Sequence, residues 1–152
     1  RYVEGKKYKL SLVLMAVSVV ATFGIFFTYE KITNTTFGEE IGKYIGETEK
    51  IDKIELTWST LDEAKGYIHS YSTITDPSMI QRLIFEPSDM NLMKTRFGPG
   101  LGYFMTVYID EDAYNLVVTE SELRIEDKSY EIEGENTLLN LIENEQLEWV
   151  EE

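Results

Sequence analysis

The 152-residue chain has no cysteine, three prolines, two tryptophans and one histidine. The missing cysteine excludes disulfides, a lipid-modified cysteine, thiolate metal sites and a thiol nucleophile. A single histidine argues against a typical zinc centre, which draws on several His or Cys ligands. Basic residues are scarce: 14 Lys and Arg stand against 28 Asp and Glu, a net charge of −14. So acidic a chain does not neutralise a phosphate backbone, and no nucleic-acid partner is expected.

The charge is divided unevenly. Before Leu10 the chain carries Arg1, Lys6, Lys7 and Lys9 against Glu4, a net of +3. From residue 30 onward ten basic residues face 27 acidic ones, a net of −17, and the two parts sum to −14. Between them lies LSLVLMAVSVVATFGIFFT, Leu10 to Thr28, 19 residues without a charge and with no polar group beyond hydroxyls. As a helix this run spans roughly 28 Å, close to the hydrocarbon thickness of a bilayer. Tyr8 and Tyr29 bracket it, where amphipathic rings favour the headgroup zone. Basic flanks stay cytoplasmic, so the expected protein is single-pass, with a cytoplasmic N-terminus and its C-terminal part exported.

A cleaved signal peptide is the rival reading, with Val19 and Ala21 small enough for a peptidase. Cleavage after Ala21 would leave TFGIFF exposed, and the run is longer than a usual signal core, which favours an uncleaved signal anchor. A pilin-like helix is excluded, because Glu4 lies outside the apolar run and nothing acidic lies within it. The chain opens on Arg1 rather than Met, so residues ahead of it are expected.

Residues 1–9 thus read as a cytoplasmic basic tail, 10–29 as the transmembrane anchor, and 30–50 as a juxtamembrane stalk. In that stalk Phe37, Ile41, Tyr44 and Ile45 fall at helical spacing, and Gly38, Gly42 and Gly46 recur every fourth residue. Residues 51–152 read as an α+β domain. IDKIELTWS and YIHSYSTIT are strands, Asp76-Pro77 opens a helix that ends at Pro87, and 91–96 is ambiguous. YFMTVYID, YNLVVTE, LRIED and SYEIEG form a meander, turning at Glu111-Asp112-Ala113 and at Asp127-Lys128. A closing helix runs from Thr137 to Gln146 behind Asn136, burying Leu138, Leu139, Leu141 and Ile142. Leu147, Trp149 and Val150 then add an edge contact. The expected fold is an antiparallel sheet of about five or six strands with two packed helices.

The IDKIEL strand, the helix after Asp76-Pro77, the meander YFMTVYIDEDAYNLVVTESELRIEDKSYEI and the closing TLLNLIE resemble small cell-surface or lipoprotein domains of Gram-positive bacteria, mostly of unknown function. The likeness covers about two-thirds of the chain and lies in strands and spacings. Such domains often carry a lipid-modified cysteine, which an anchor replaces here. The resemblance implies location and fold, and brings no catalytic residue with it.

Three features invite a chemical reading. FGPGLGYF, residues 97–104, has three glycines, but it leads into a strand, lacks a following Lys-Ser/Thr, and sits in an acidic domain. It reads as a turn, so neither a nucleotide nor another cofactor is expected. His69 shares a strand face with Tyr67 and Tyr71 while Ser70 points the other way, so no catalytic triad is legible. Asp110, Glu111 and Asp112 lack the spacing of a calcium loop and read as a charged hairpin tip. No catalytic, cofactor-binding or metal-ligating residue is assigned.

The expected function is contact with a partner: a membrane-anchored accessory module whose acidity selects a cationic protein or peptide outside the cell. Its strand tyrosines, Tyr67, Tyr71, Tyr103, Tyr108, Tyr114 and Tyr130, serve either core or contact surface. The competing readings are a carboxylate-based enzyme acting on the cell envelope, and a structural subunit of a membrane complex.

Overall fold

The computed structural model describes residues 2–152, with side chains for 7–29 and 33–152. The Arg1 end of the basic flank lies outside the described residues, as do the side chains of Glu4 and Lys6. The chain forms two compact units, a helical one up to Asn34 and a sheet-based one from Thr35 to Glu152.

The first unit is a single helix, α1 (Tyr2–Thr33). Its stretch Lys7–Tyr29 has a mean hydropathy of 2.4 over 23 residues, none of it buried against protein. At 1.5 Å per residue that is about 34 Å, enough to cross a bilayer core. By length and composition the helix is compatible with a membrane anchor or a signal sequence. Its threonine hydroxyls are satisfied internally: Thr22, Thr28 and Thr33 donate to the carbonyls of Ser18, Gly24 and Tyr29 at 2.7–2.8 Å. A hydroxyl bonded one turn back needs no water, which suits an apolar surrounding.

The second unit is α+β. After β1 (Asn34–Thr36) and α2 (Phe37–Ile41) come β2 (Lys53–Asp62), β3 (Gly66–Ile74) and α3 (Pro77–Phe85). A 3-10 turn (Glu86–Asp89) leads into β4 (Asn91–Thr95), β5 (Tyr103–Ile109), β6 (Asp112–Val118), β7 (Glu122–Ile125) and β8 (Lys128–Glu133). The unit closes with α4 (Thr137–Asn144) and β9 (Val150–Glu151). The strands form one sheet in the order β1-β4-β8-β7-β6-β5-β2-β3-β9. Every pairing from β4 across to β9 is antiparallel.

The described residues therefore hold nine strands and four α-helices, where five or six strands, an apolar N-terminal helix and two packed helices are expected; the additional helix is α2. The ambiguous 91–96 segment is a true strand, paired along its length with β8. The edge strands β1 and β9, three and two residues long, are too short to show any alternation. At one margin β9 pairs with only Ser70 and Tyr71 of the nine-residue β3. The hairpin turns also shift by a residue, to Asp110-Glu111 and Glu126-Asp127. Asp110 and Glu126 adopt positive φ of 52° and 53°, a conformation the turn geometry requires and acidic residues resist less than β-branched ones.

One face of the sheet carries the core. Ile54, Leu56, Leu92, Met105, Val107, Leu116, Leu123 and Tyr130 meet Leu83 and Ile84 of α3 and Leu138 and Ile142 of α4. Asp76 caps α3 by accepting from the Met79 amide at 3.1 Å, with Pro77 in the first turn. Pro87 is buried and lacks an amide hydrogen, and there the chain tightens into the 3-10 turn.

The segment read as a stalk departs most from expectation. Phe37, Ile41 and Ile45 are buried in the same core, so the folded unit begins at Thr35 and not at Ile51. Thr36 and Glu39 form a reciprocal capping box at the start of α2. The Phe37 amide donates to the Met90 carbonyl at 2.9 Å. Glu40, 2% exposed, accepts from the Tyr130 hydroxyl at 2.6 Å and from Lys43 Nζ at 2.8 Å, with Thr35 Oγ1 at 2.9 Å. The glycine repeat serves contact within the unit: a Cβ on Gly38 would stand 3.0–3.3 Å from Ser88 of the 3-10 turn.

Candidate functional site

A cleft of about 580 Å³, open to solvent, lies between α4, the middle of β2, the start of β5 and the end of β6. α4 is held there by its cap. Asn136 Oδ1 accepts from the Leu139 amide at 3.0 Å, while Nδ2 donates to the carbonyls of Thr119 and Glu120 at 2.8 and 3.1 Å. One carboxamide thus starts the helix and ties it to the β6–β7 connection. The helix face so presented carries Leu139, Asn140 and Glu143 into the cleft.

The opposite wall is aromatic. Trp58 of β2 and Tyr103 of β5 stack with centroids 4.5 Å apart and planes 30° apart. Trp149, just ahead of β9, tilts against Tyr103 at 6.1 Å. Both tryptophans of the chain therefore meet at one tyrosine. Burial raises the Tyr103 phenol above its ordinary pKa, and the negative charge of Glu143 raises it further. Offset and tilted rings at these separations attract beyond the area they bury.

The glycine loop supplies the third wall, Leu101 and Gly102. A Cβ at Gly102 would stand 2.3 Å from the Val118 carbonyl oxygen and 2.8 Å from Thr119, so only glycine lets the chain lie against β6 there. The loop is a connection, as its sequence implies, and this close approach shapes the cleft. It also leaves Leu101 and Phe97 79% exposed.

Glu120 and Glu143 line the cleft, and neither has an ion pair among the described residues. No lysine or arginine is among the described residues that line it. The last turn of α4, where the negative end of the helix lies, likewise carries no basic residue.

The residues singled out in the sequence lie elsewhere. His69 sits on the face of β3 away from the core, opposite Ser59 of β2, with Ser59 Oγ 2.7 Å from Nδ1. Local spacing considered Ser70 and missed Ser59, which only strand register brings near. The pair lies on an open sheet face, without a third group bonded to the ring among the described residues. Asp110 is held by Asp52, whose carboxylate accepts from the Asp110 amide at 2.8 Å. No three His, Asp or Glu side chains gather to hold a metal among the described residues.

Trp58, Tyr103 and Trp149 were legible singly, as a strand residue, a strand tyrosine and an edge contact. Their convergence follows from strand order, which sequence spacing does not reveal. No family model, no curated protein and no solved structure matches the chain, so the cleft is read from its own residues.

Proposed function

We propose that this is a single-pass membrane protein with a cytoplasmic N-terminus, presenting residues 35–152 outside the cytoplasm as a contact module for a cationic protein or peptide. The observation that carries the reading is the open cleft walled by Trp58, Tyr103 and α4. Aromatic side chains recur at contact surfaces because they offer large area at low conformational cost. The apolar length of α1 and the +3 against −17 division of charge support the placement.

The enzyme alternative draws on Glu120 and Glu143, which share the cleft. Acid catalysis needs one carboxyl kept protonated by burial beside another left ionised. Both are solvent-exposed, which favours binding over proton transfer.

Partner recovery from native membranes tests the proposal, using the full chain and its Trp58→Ala and Trp149→Ala variants. A partner retained by the parent and lost by both folded variants supports contact through the cleft. Equal recovery by all three would move the contact elsewhere, to α1 or the opposite sheet face.

A further inference from the structure

The cleft has a chemical asymmetry that narrows what it receives. Its aromatic wall is the stacked Trp58–Tyr103 pair, and an aromatic ring attracts a cation over its accessible face and leaves an anion unrewarded. Its two carboxylates, Glu120 and Glu143, lack ion pairs among the described residues, as do most of the domain's carboxylates; only Glu40, Glu55, Glu86 and Glu145 pair with a base. Glu143 also lies in the final turn of α4, where helix carbonyls add further negative potential. Aromatic rings and an unpaired carboxylate select the same sign of charge; the C-terminus of α4 adds less, because Arg82 already pairs with its cap residue Glu145.

We infer that the cleft takes one basic side chain, lysine or arginine, from an extended peptide or exposed loop, with its aliphatic stem along Leu139 and the Trp58–Tyr103 wall and its cation toward Glu143. The inference rests on the cleft being a contact site and adds the chemistry of the occupant. A long basic side chain suits a cleft that is apolar along its wall and charged at its rim, because its methylenes and its cation prefer different surroundings. The area excluded from water supplies affinity, and the charge supplies selection against neutral residues of the same shape.

Trp58 lines the cleft and Trp149 packs against its Tyr103, so intrinsic fluorescence reports on it. The full chain in zwitterionic nanodiscs is titrated with Ac-Gly-Gly-Lys-Gly-Gly-amide and with the same peptide carrying norleucine, which keeps the stem and removes the cation. A saturable change with the lysine peptide, at least severalfold tighter than with norleucine, is expected. Glu143→Gln weakens the lysine peptide by about two- to fivefold, the range of a solvent-exposed ion pair. Trp58→Leu weakens it by about three- to tenfold through the lost cation–π contact. Glu111→Gln removes the same charge at the far tip of the β5–β6 hairpin and leaves binding unchanged. Equal binding of both peptides, no saturable change with lysine, or equal losses in Glu143→Gln and Glu111→Gln would each overturn the inference. If the lysine peptide fails while partner recovery still depends on Trp58 and Trp149, the contact reading stands and only the basic occupant is lost.

Discussion

Where the folded unit begins decides whether an isolated ectodomain can be studied, and the structure makes two starting points differ sharply. A fragment from Thr35 keeps β1, α2 and the side chains of Phe37, Ile41 and Ile45, which are 0%, 2% and 2% exposed. A fragment from Ile51, the boundary that strand periodicity suggests, removes all three. Burying a large apolar side chain stabilises by roughly 1.5–3 kcal/mol, so the loss is about 5–9 kcal/mol before the core rearranges. The deletion also strips Glu40 from the Tyr130 hydroxyl, whose residue is 1% exposed. An orphaned buried hydroxyl costs about a further 1–3 kcal/mol unless water reaches it. Against a typical total of about 5–15 kcal/mol, the shorter fragment retains little or nothing.

Thermal unfolding followed by far- and near-ultraviolet circular dichroism distinguishes the two. Residues 35–152 should melt cooperatively, whereas residues 51–152 should lack a sharp transition and bind a hydrophobic dye. Phe37→Ala in the longer fragment gives a graded version, with an expected cost of about 3–5 kcal/mol. A fragment from Ile51 that melts within a few degrees of the longer one would refute the reasoning, because α2 would then be an appendage.

Gly102→Ala should destabilise the unit by about 1–3 kcal/mol, since its Cβ meets backbone at 2.3 Å and backbone yields poorly; Gly100→Ala, with nothing within 4 Å, should be neutral in the same urea titration. Burial alone would raise the Glu40 carboxyl, but hydrogen bonds from Lys43, Tyr130 and Thr35 bring it below its ordinary 4.5. A lowered folded value means its stabilisation is fully present above about pH 4.5 and is lost as pH falls through the folded value, so Glu40→Gln should be less stable at pH 7 and show a shallower acid decline in chemical denaturation. In the cysteine-free chain, a cysteine at Lys128 should react with an impermeant thiol reagent on intact cells and one at Lys6 should not; the reverse pattern would invert the proposed topology.

Much of the fold was legible because its longer elements follow their periods. β5 alternates cleanly, α3 and α4 start at the expected caps, and the apolar length of α1 is plain. What sequence hid depends on contacts between distant segments. Phe37, Ile41 and Ile45 do fall at helical spacing, yet a five-residue helix with three glycines nearby shows no stability of its own, and only the surrounding core holds it. The cleft was hidden for a similar reason. Trp58, Tyr103 and Trp149 come from segments more than forty residues apart, joined by the antiparallel order β5-β2-β3-β9. The loop FGPGLG announced a turn, but its close approach at Gly102 depends on the Val118 carbonyl, which no local pattern specifies.

The opposite face of the sheet is the natural competitor for a partner, and its chemistry argues for the cleft. Val117, Phe104, Thr57, Tyr71 and Val150 share one row across five strands, a largely apolar stripe one residue wide. Polar groups that already satisfy each other flank it. On one side Tyr108 donates to Glu55 at 2.8 Å, Lys53 pairs with the same carboxylate and lies 4.4 Å over the Tyr108 ring, and Thr106 bonds Asn115. On the other side Ser59 meets His69. Hydrogen bonds from Lys53 and then Tyr108 hold the Glu55 carboxyl below its ordinary pKa, so its charge is well compensated in place. This face offers apolar area in that stripe and at the Leu61–Tyr67 pair beyond Ser59 and His69, but covering it would strip water from satisfied pairs, and desolvation of such pairs commonly cancels their attraction. In the cleft the balance runs the other way. Glu143 has no ion pair to lose among the described residues, and an aromatic pair lies in the same cleft. The proposed cationic partner would therefore meet an unengaged carboxylate in the cleft, whereas on the other face it would compete with Lys53 for a carboxylate already engaged.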